Sequence, residues 1–275
     1  MEMIAHPYDE LLRLPTELIR LDCAALHLAR DFDPDVNITA NLSMLDELAE
    51  RVAARRPGLS AIRRYVALRD VLVEECGFSG NEDDYYDPAN SYLPLVLRRR
   101  VGVPISLAVV WLETARRLKW NVSGLNFPGH YLVRIDDAER FVIVDPFRRG
   151  KALRKGDCQK ILDHCFDGRV RFERKMLAPT DTRGTLARML RNLKAIYEAN
   201  QDWPRLEAVL QRLRATAPAD PRPVVELAAL WARQGRVRNA WGELHHYLAS
   251  NPPESRARHV RKRIGRLQAE LARLN

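Results

Sequence analysis

The chain has 275 residues, 46% of them hydrophobic and 29% charged, with 16 Pro and 13 Gly. That length accommodates one large domain or two smaller ones, and the composition excludes collagen-like, mucin-like and wholly disordered chains. The net charge of +9 is unevenly placed: residues 1–178 hold 27 basic and 27 acidic side chains, whereas the remaining 97 hold 18 and 9. This asymmetry predicts two domains with different surfaces, 1–178 and 179–275. The second suits an acidic protein partner or, on charge alone, nucleic acid. The plain alternative is an arginine-rich, solvated helical face.

The longest clean apolar stretch, Leu107 to Leu112, falls far short of the ~20 residues a membrane span needs. The first residues carry acids and lack a basic segment followed by an apolar run, so neither membrane association nor a signal peptide is predicted. Four cysteines, none in a Cys-x-x-Cys pair, read as reduced thiols. The expectation is a cytoplasmic protein.

Taken in chain order, the first third is helical. Leucines and alanines recur at a helical period over Tyr8–Arg30, with Pro15 beginning a helix or splitting the segment. Asn41-Leu42-Ser43 offers a cap before Met44, Leu45, Leu48 and Val52, and Ser60–Glu75 repeats the pattern. The polar stretch GFSGNEDDYYDPANS is too rich in Gly, Asp and Asn for a regular element, and its length predicts an ordered functional loop. Tyr92–Arg100 and Ser106–Leu118 read as helices, the second apolar on most faces and therefore buried.

Short β-like runs follow at Asn121–Leu125, His130–Ile135 and Phe141–Val144, the last two joined as a hairpin. Lys151–Arg154 adds a strand, Cys158–Phe166 a short helix, and Val170–Arg174 a possible return to the sheet. Helices followed by a small antiparallel sheet is an α+β pattern. From about Asp181 the chain is helical with a 34-residue repeat: Leu193, Tyr197, Leu210 and Pro218 align with Leu227, Trp231, Leu244 and Pro252. A helix–turn–helix period of that length is the tetratricopeptide signature.

Three segments concentrate chemistry: GVPISL at 102–107, PGHYLV at 128–133 and VDPF at 144–147. They place the Ser106 hydroxyl at a helix start, the His130 imidazole at a strand start and the Asp145 carboxylate at the end of the next strand. A hairpin between those strands brings His130 and Asp145 to one end, where the carboxylate orients the ring. No Gly-rich phosphate loop, His-Glu-x-x-His or Cys/His ligand spacing occurs, so no cofactor and no metal is predicted.

The strings NSYLPLVLRRRVGVPISL, FPGHYLVRI and VDPF resemble the SirB1-type transglutaminase-like family, whose members commonly carry tetratricopeptide-like C-terminal segments. The resemblance implies a papain/transglutaminase-like helical domain with a small antiparallel sheet, followed by an all-α repeat domain. It implies that Ser106, His130 and Asp145 occupy the positions of the family's Cys-His-Asp triad, with Asn90 and Tyr86 flanking the cleft. A helix terminus and a histidine activate a thiol far more readily than a hydroxyl, so Ser106 makes catalysis doubtful. The function expected is a non-catalytic regulator or scaffold that binds a protein partner through cleft and repeats. Two alternatives stand beside it: a Ser-His-Asp hydrolase or acyl-transferase using Ser106, and a nucleic-acid-binding regulator using the basic C-terminal half.

Overall fold

The fold comes from a computed structural model that describes residues 6–272. The chain divides into two compact units, Met1–Met189 and Leu190–Asn275.

The first unit opens with α1 (Pro7–Leu11) and α2 (Leu21–Ala29), separated at Pro15 by a 3-10 turn. Next comes α3 (Ile38–Ala54). Its cap is Asn37, whose side chain accepts from Ala40 N at 3.0 Å, so the helix starts one turn earlier than Asn41-Leu42-Ser43 suggests. α4 (Ala61–Arg69) is capped by Ser60 and runs on as a π-helical stretch over Asp70–Glu75. Two short parallel strands, β1 (Ser79–Gly80) and β2 (Val101–Gly102), bracket the polar loop and α5 (Leu93–Arg99). α6 (Pro104–Arg117) follows, buried at every residue from Pro104 to Ala115. A helix apolar all round can only be a core helix, and α6 is the one around which the unit is built.

The sheet comprises β3 (Val122–Leu125), β4 (Leu132–Asp136), β5 (Phe141–Asp145), β6 (Lys151–Leu153) and β7 (Pro179–Thr180), antiparallel in the order β6-β5-β4-β3-β7. The register aligns Val133 with Val144 and Ile143 with Leu153. Alternation along each strand gives two apolar faces. One packs against α6 and α4. The other places Leu125, Leu132, Ile143 and Leu153 against Cys158, Ile161 and Leu162 of α7 (Lys155–Phe166).

Val170–Arg174 does not return to the sheet; β7 does. Phe172 packs on the α7 core, and its backbone N donates to Gln159 Oε1 at 2.8 Å. With that donor satisfied by a side chain, the segment needs no strand partner.

α8 (Thr182–Ala199) carries the chain from the first unit into the second. There α9 (Trp203–Thr216), α10 (Pro221–Arg233), α11 (Val237–Ala249) and α12 (Glu254–Ala272) form the helical array, with α10 packed against α9, α11 and α12. The repeat is visible in the backbone: Gln201 (φ 56°) and Gly235 (φ 75°), 34 residues apart, both turn in the left-handed region after a helix. Leu193, Tyr197 and Leu210, and their counterparts Leu227, Trp231 and Leu244, are all buried.

Candidate functional site

The β1–β2 ladder sets the start of α6 beside the loop between them. Pro104 is the first helical residue, where its missing N–H costs nothing. Ser106, two residues on, is fully buried. Its Oγ accepts from Val103 N at 3.1 Å and points its single proton at Asn90 O (2.5 Å) and Val103 O (3.1 Å). Gly102 lies against this hydroxyl so closely that a Cβ there would stand 2.6 Å from Oγ. Ser106 is thus a cap and a clamp, enclosed on every side.

The clamp holds the loop. Asn90, also fully buried, donates from Nδ2 to Asp84 O at 2.6 Å and accepts at Oδ1 from Asn81 Nδ2 at 3.1 Å, while its own carbonyl accepts from Val103 N at 3.2 Å. These bonds tie residues 81–90 to the helix terminus and leave Tyr86, 72% exposed, on the outer rim.

His130 sits just before β4, after Gly129, which occupies the left-handed region (φ 72°). A Cβ on Gly129 would meet Cys165 at 2.7 Å, so only glycine fits both the turn and the space. His130 Nε2 lies 2.8 Å from Asp145 Oδ1 at the end of β5, and both side chains are buried. That oxygen also accepts from Phe147 N (3.1 Å) and Arg148 N (3.3 Å), which fixes the carboxylate while it fixes the ring. Asp145 Oδ2 is buried without a hydrogen-bond partner; Arg148 Nε stands 3.9 Å away. The imidazole also meets the Phe147 ring edge-on, with centroids 6.0 Å apart.

These groups surround a cleft of about 520 Å³ lined by Tyr85, Tyr86, Pro104, His130, Phe147 and Cys165, among others. The expected pairing of His130 with Asp145 is present. The expected place of Ser106 at the ring is not: among the described residues no hydrogen bond joins Ser106 to His130, and Ser106 is not part of the cleft wall. From this helix it is Pro104 that lines the cleft. Successive helical residues are about 100° apart around the axis, so positions 104 and 106 face nearly opposite ways. Asn90 likewise anchors the loop from beneath, whereas Tyr86 lines the cleft.

The sequence reading missed Pro104, Phe147 and Cys165 as cleft residues. Phe147 was within reach, because Asp145 at the end of β5 puts the residue two further on at the same end of the hairpin. Cys165 comes from α7, and nothing local in the sequence connects it to His130. Its Sγ lies 3.9 Å from Gly129 O and it is exposed, whereas Cys158 is buried, and burial pushes its thiol pKa up. Next in sequence to His130, Tyr131 is buried with its hydroxyl 2.8 Å from Thr185 Oγ1, and desolvation pushes its pKa up to about 12. It is a structural phenol that stays protonated. Among the described residues, no group of three His, Cys, Asp or Glu is arranged to hold a metal ion.

Chemically, the site offers an imidazole held by a carboxylate at the mouth of an aromatic cleft. The residue of α6 that lines this cleft is Pro104, whose side chain carries no nucleophile.

The sequence comparisons agree with this architecture. A family model described as the transglutaminase-like superfamily matches residues 39–191, and a tetratricopeptide repeat model matches 193–265. A UPF0162 protein of Xylella fastidiosa (strain 9a5c) is 32% identical over 255 residues, covering 89% of each chain. A UPF0162 protein of Pseudomonas aeruginosa is 34% identical over 177 residues, 64% of each chain. F-box only protein 21 of Homo sapiens is 35% identical over 104 residues, which is 35% of this chain and 17% of that protein. The chain belongs to the SirB1-like UPF0162 family, in which a transglutaminase-like domain is followed by tetratricopeptide repeats.

Proposed function

We propose that the protein is a non-catalytic member of the transglutaminase-like superfamily, a regulator or scaffold that holds a peptide segment of a partner protein in the His130 cleft and engages the partner further through its repeats. The observation that carries this reading is Pro104 in the cleft wall, with the nearby Ser106 hydroxyl committed to Asn90 O and Val103. Catalysis by Ser106 would first have to break a 2.5 Å hydrogen bond and expose a fully buried side chain.

The rest of the cleft suits binding. Tyr85 meets Phe147 edge-on at 5.8 Å and Tyr86 at 5.2 Å, making an aromatic wall. Aromatic side chains give large contact area with few rotors to immobilise, which is the usual basis of peptide recognition. In this reading His130 and Asp145 are a polar anchor: the carboxylate fixes the ring, and the ring's other nitrogen is offered to the bound chain. Stacked helical repeats present a second extended binding surface.

The test has two arms. Purified protein exposed to a fluorophosphonate serine probe is expected to remain unlabelled. Probing an immobilised peptide library is expected to select sequences whose binding falls in Tyr86→Ala and Phe147→Ala. Labelling that Ser106→Ala abolishes would install the hydrolase or acyl-transferase reading instead. Selected peptides indifferent to both aromatic substitutions would remove the cleft from the binding surface.

A further inference from the structure

A second cavity, also of about 520 Å³, lies on the α7 face of the sheet, away from His130. Ile143 of β5, Leu153 of β6, Phe172 and Leu177 form its apolar walls, and the buried Cys158 lies in its lining. That volume is in the range of small-molecule sites, and such a lining is what an apolar ligand requires. Its polar residues are three cations: Arg154, Lys155 and Arg174.

The charges are what make this cavity more than a packing gap. All three cations are exposed, and none is ion-paired among the described residues. The acids nearest in sequence are already engaged. Asp157 pairs with Lys151 at 2.9 Å and accepts from Arg154 N at 3.0 Å, and Glu173 pairs with Lys175 at 2.7 Å. Moreover, Arg154 and Lys155 stand at the N-terminus of α7, a 12-residue helix whose dipole is positive at that end. Two cations at the N-terminus of α7 and a third on the 174–177 turn line one apolar cavity, and an anion there would be attracted by all three.

We infer that this cavity is a binding site for a single-chain fatty-acyl carboxylate, with the chain between the sheet and the 167–178 segment and the head group among Arg154, Lys155 and Arg174. A bare inorganic anion would leave the apolar walls unfilled, and a neutral hydrocarbon would leave the cations unpaired; the amphiphile satisfies both. The site is lined by β5, β6, the first half of α7 and the segment after it, and it stands independently of the His130 cleft and of whatever that cleft binds.

The probe is decanoate, titrated calorimetrically into the full-length protein below its micelle concentration, with decanol and acetate as the uncharged and chainless controls. Saturable 1:1 binding of decanoate is expected, with decanol weaker by about tenfold or more, the equivalent of one charge-assisted contact, and acetate silent. Lys155→Gln combined with Arg174→Gln, which leaves Arg154 as the remaining cation, is expected to weaken decanoate severalfold toward the affinity of decanol while leaving the melting temperature unchanged, since both side chains are exposed and unpaired. Absence of saturable decanoate binding overturns the site. So does equal affinity for decanol, or decanoate binding that persists undiminished in the double variant. Binding of an acidic, leucine-rich decapeptide without decanoate binding would also overturn it, by giving the surface to a protein partner.

Discussion

Replacing Ser106 by alanine removes one buried hydroxyl and three hydrogen-bond contacts, and it should cost about 1–2 kcal/mol in chemical denaturation. Ser106→Cys should be no better, because the larger sulfur meets Gly102, and its thiol should alkylate only as fast as the protein opens. Pro104→Cys differs in kind. It places a thiol at a helix N-terminus, on the wall of the cleft that His130 also lines, and a helix N-terminus lowers a cysteine pKa below the usual value of about 8.5. Fast iodoacetamide labelling near neutral pH is expected for Pro104→Cys and not for Ser106→Cys. The reverse order would put Ser106 in the cleft.

A second residue-scale prediction concerns Asp22, buried between α2 and α6. Burial opposes its charge, but hydrogen bonds from Arg20 (2.9 Å) and Arg117 (2.8 Å) outweigh that cost and hold its pKa below the ordinary carboxylate value. A depressed folded pKa contributes stability above the unfolded pKa of about 3.9 and loses it as pH falls through the folded value. Asp22→Asn should therefore cost about 2–3 kcal/mol at neutral pH, with the gap to wild type closing below about pH 4. Glu113 titrates the other way, its pKa raised by burial and then by the Asp22 charge, so the comparison is best made in a Glu113→Gln background. A gap independent of pH would mean that Asp22 acts through shape and not charge.

At the scale of elements, α6 is the member whose loss the first unit tolerates least. Leu112 is fully buried at its centre, and Leu112→Ala should cost about 2–5 kcal/mol, read as a clear fall in melting temperature. Most elements were legible because their signals are local. The apolar run of α6, the alternation of β4 and β5 and the 34-residue repeat each follow from a periodicity within one segment. The two failures have different causes. The helix cap moved from Asn41 to Asn37 because two capping residues lie one turn apart and the earlier one takes the local bond to Ala40 N, whereas the last strand moved from Val170–Arg174 to Pro179–Thr180 because its partner is distant in sequence. β7 pairs with β3, through Leu125 and Pro179, across more than fifty residues.

For the molecule as a whole, the region between the two halves offers a direct experiment. A chain ending at Ala178 omits β7, the Thr185 partner of Tyr131 and the Arg183 side chain that donates to Leu12 O. A chain ending at Ala199 keeps all three. The longer fragment should unfold cooperatively by circular dichroism, and the shorter should melt at a clearly lower temperature. Equal melting would place the end of the first folding unit at residue 178. The charge asymmetry makes a separate prediction. Arg261→Glu with Lys262→Glu should weaken binding of an acidic partner and flatten its salt dependence, if α12 is the contact. Unchanged affinity would return α12 to a solvated face.

By itself, the sequence determined the α+β pattern and the helical repeat array, and it put His130 and Asp145 toward one end of a hairpin, their contact being what the family resemblance implied. These follow from the period of each segment and the register of a single hairpin. It could not determine which side chain of GVPISL faces His130. Two positions on one helix differ by about 200° in direction, and the facing one is selected by what packs against the rest of that helix. Ser106 is turned toward the Asn90 carbonyl and Gly102, Pro104 toward the cleft, and α7 brings Cys165 to the opposite wall. Those choices depend on packing among segments remote in sequence, so only the tertiary structure decided them.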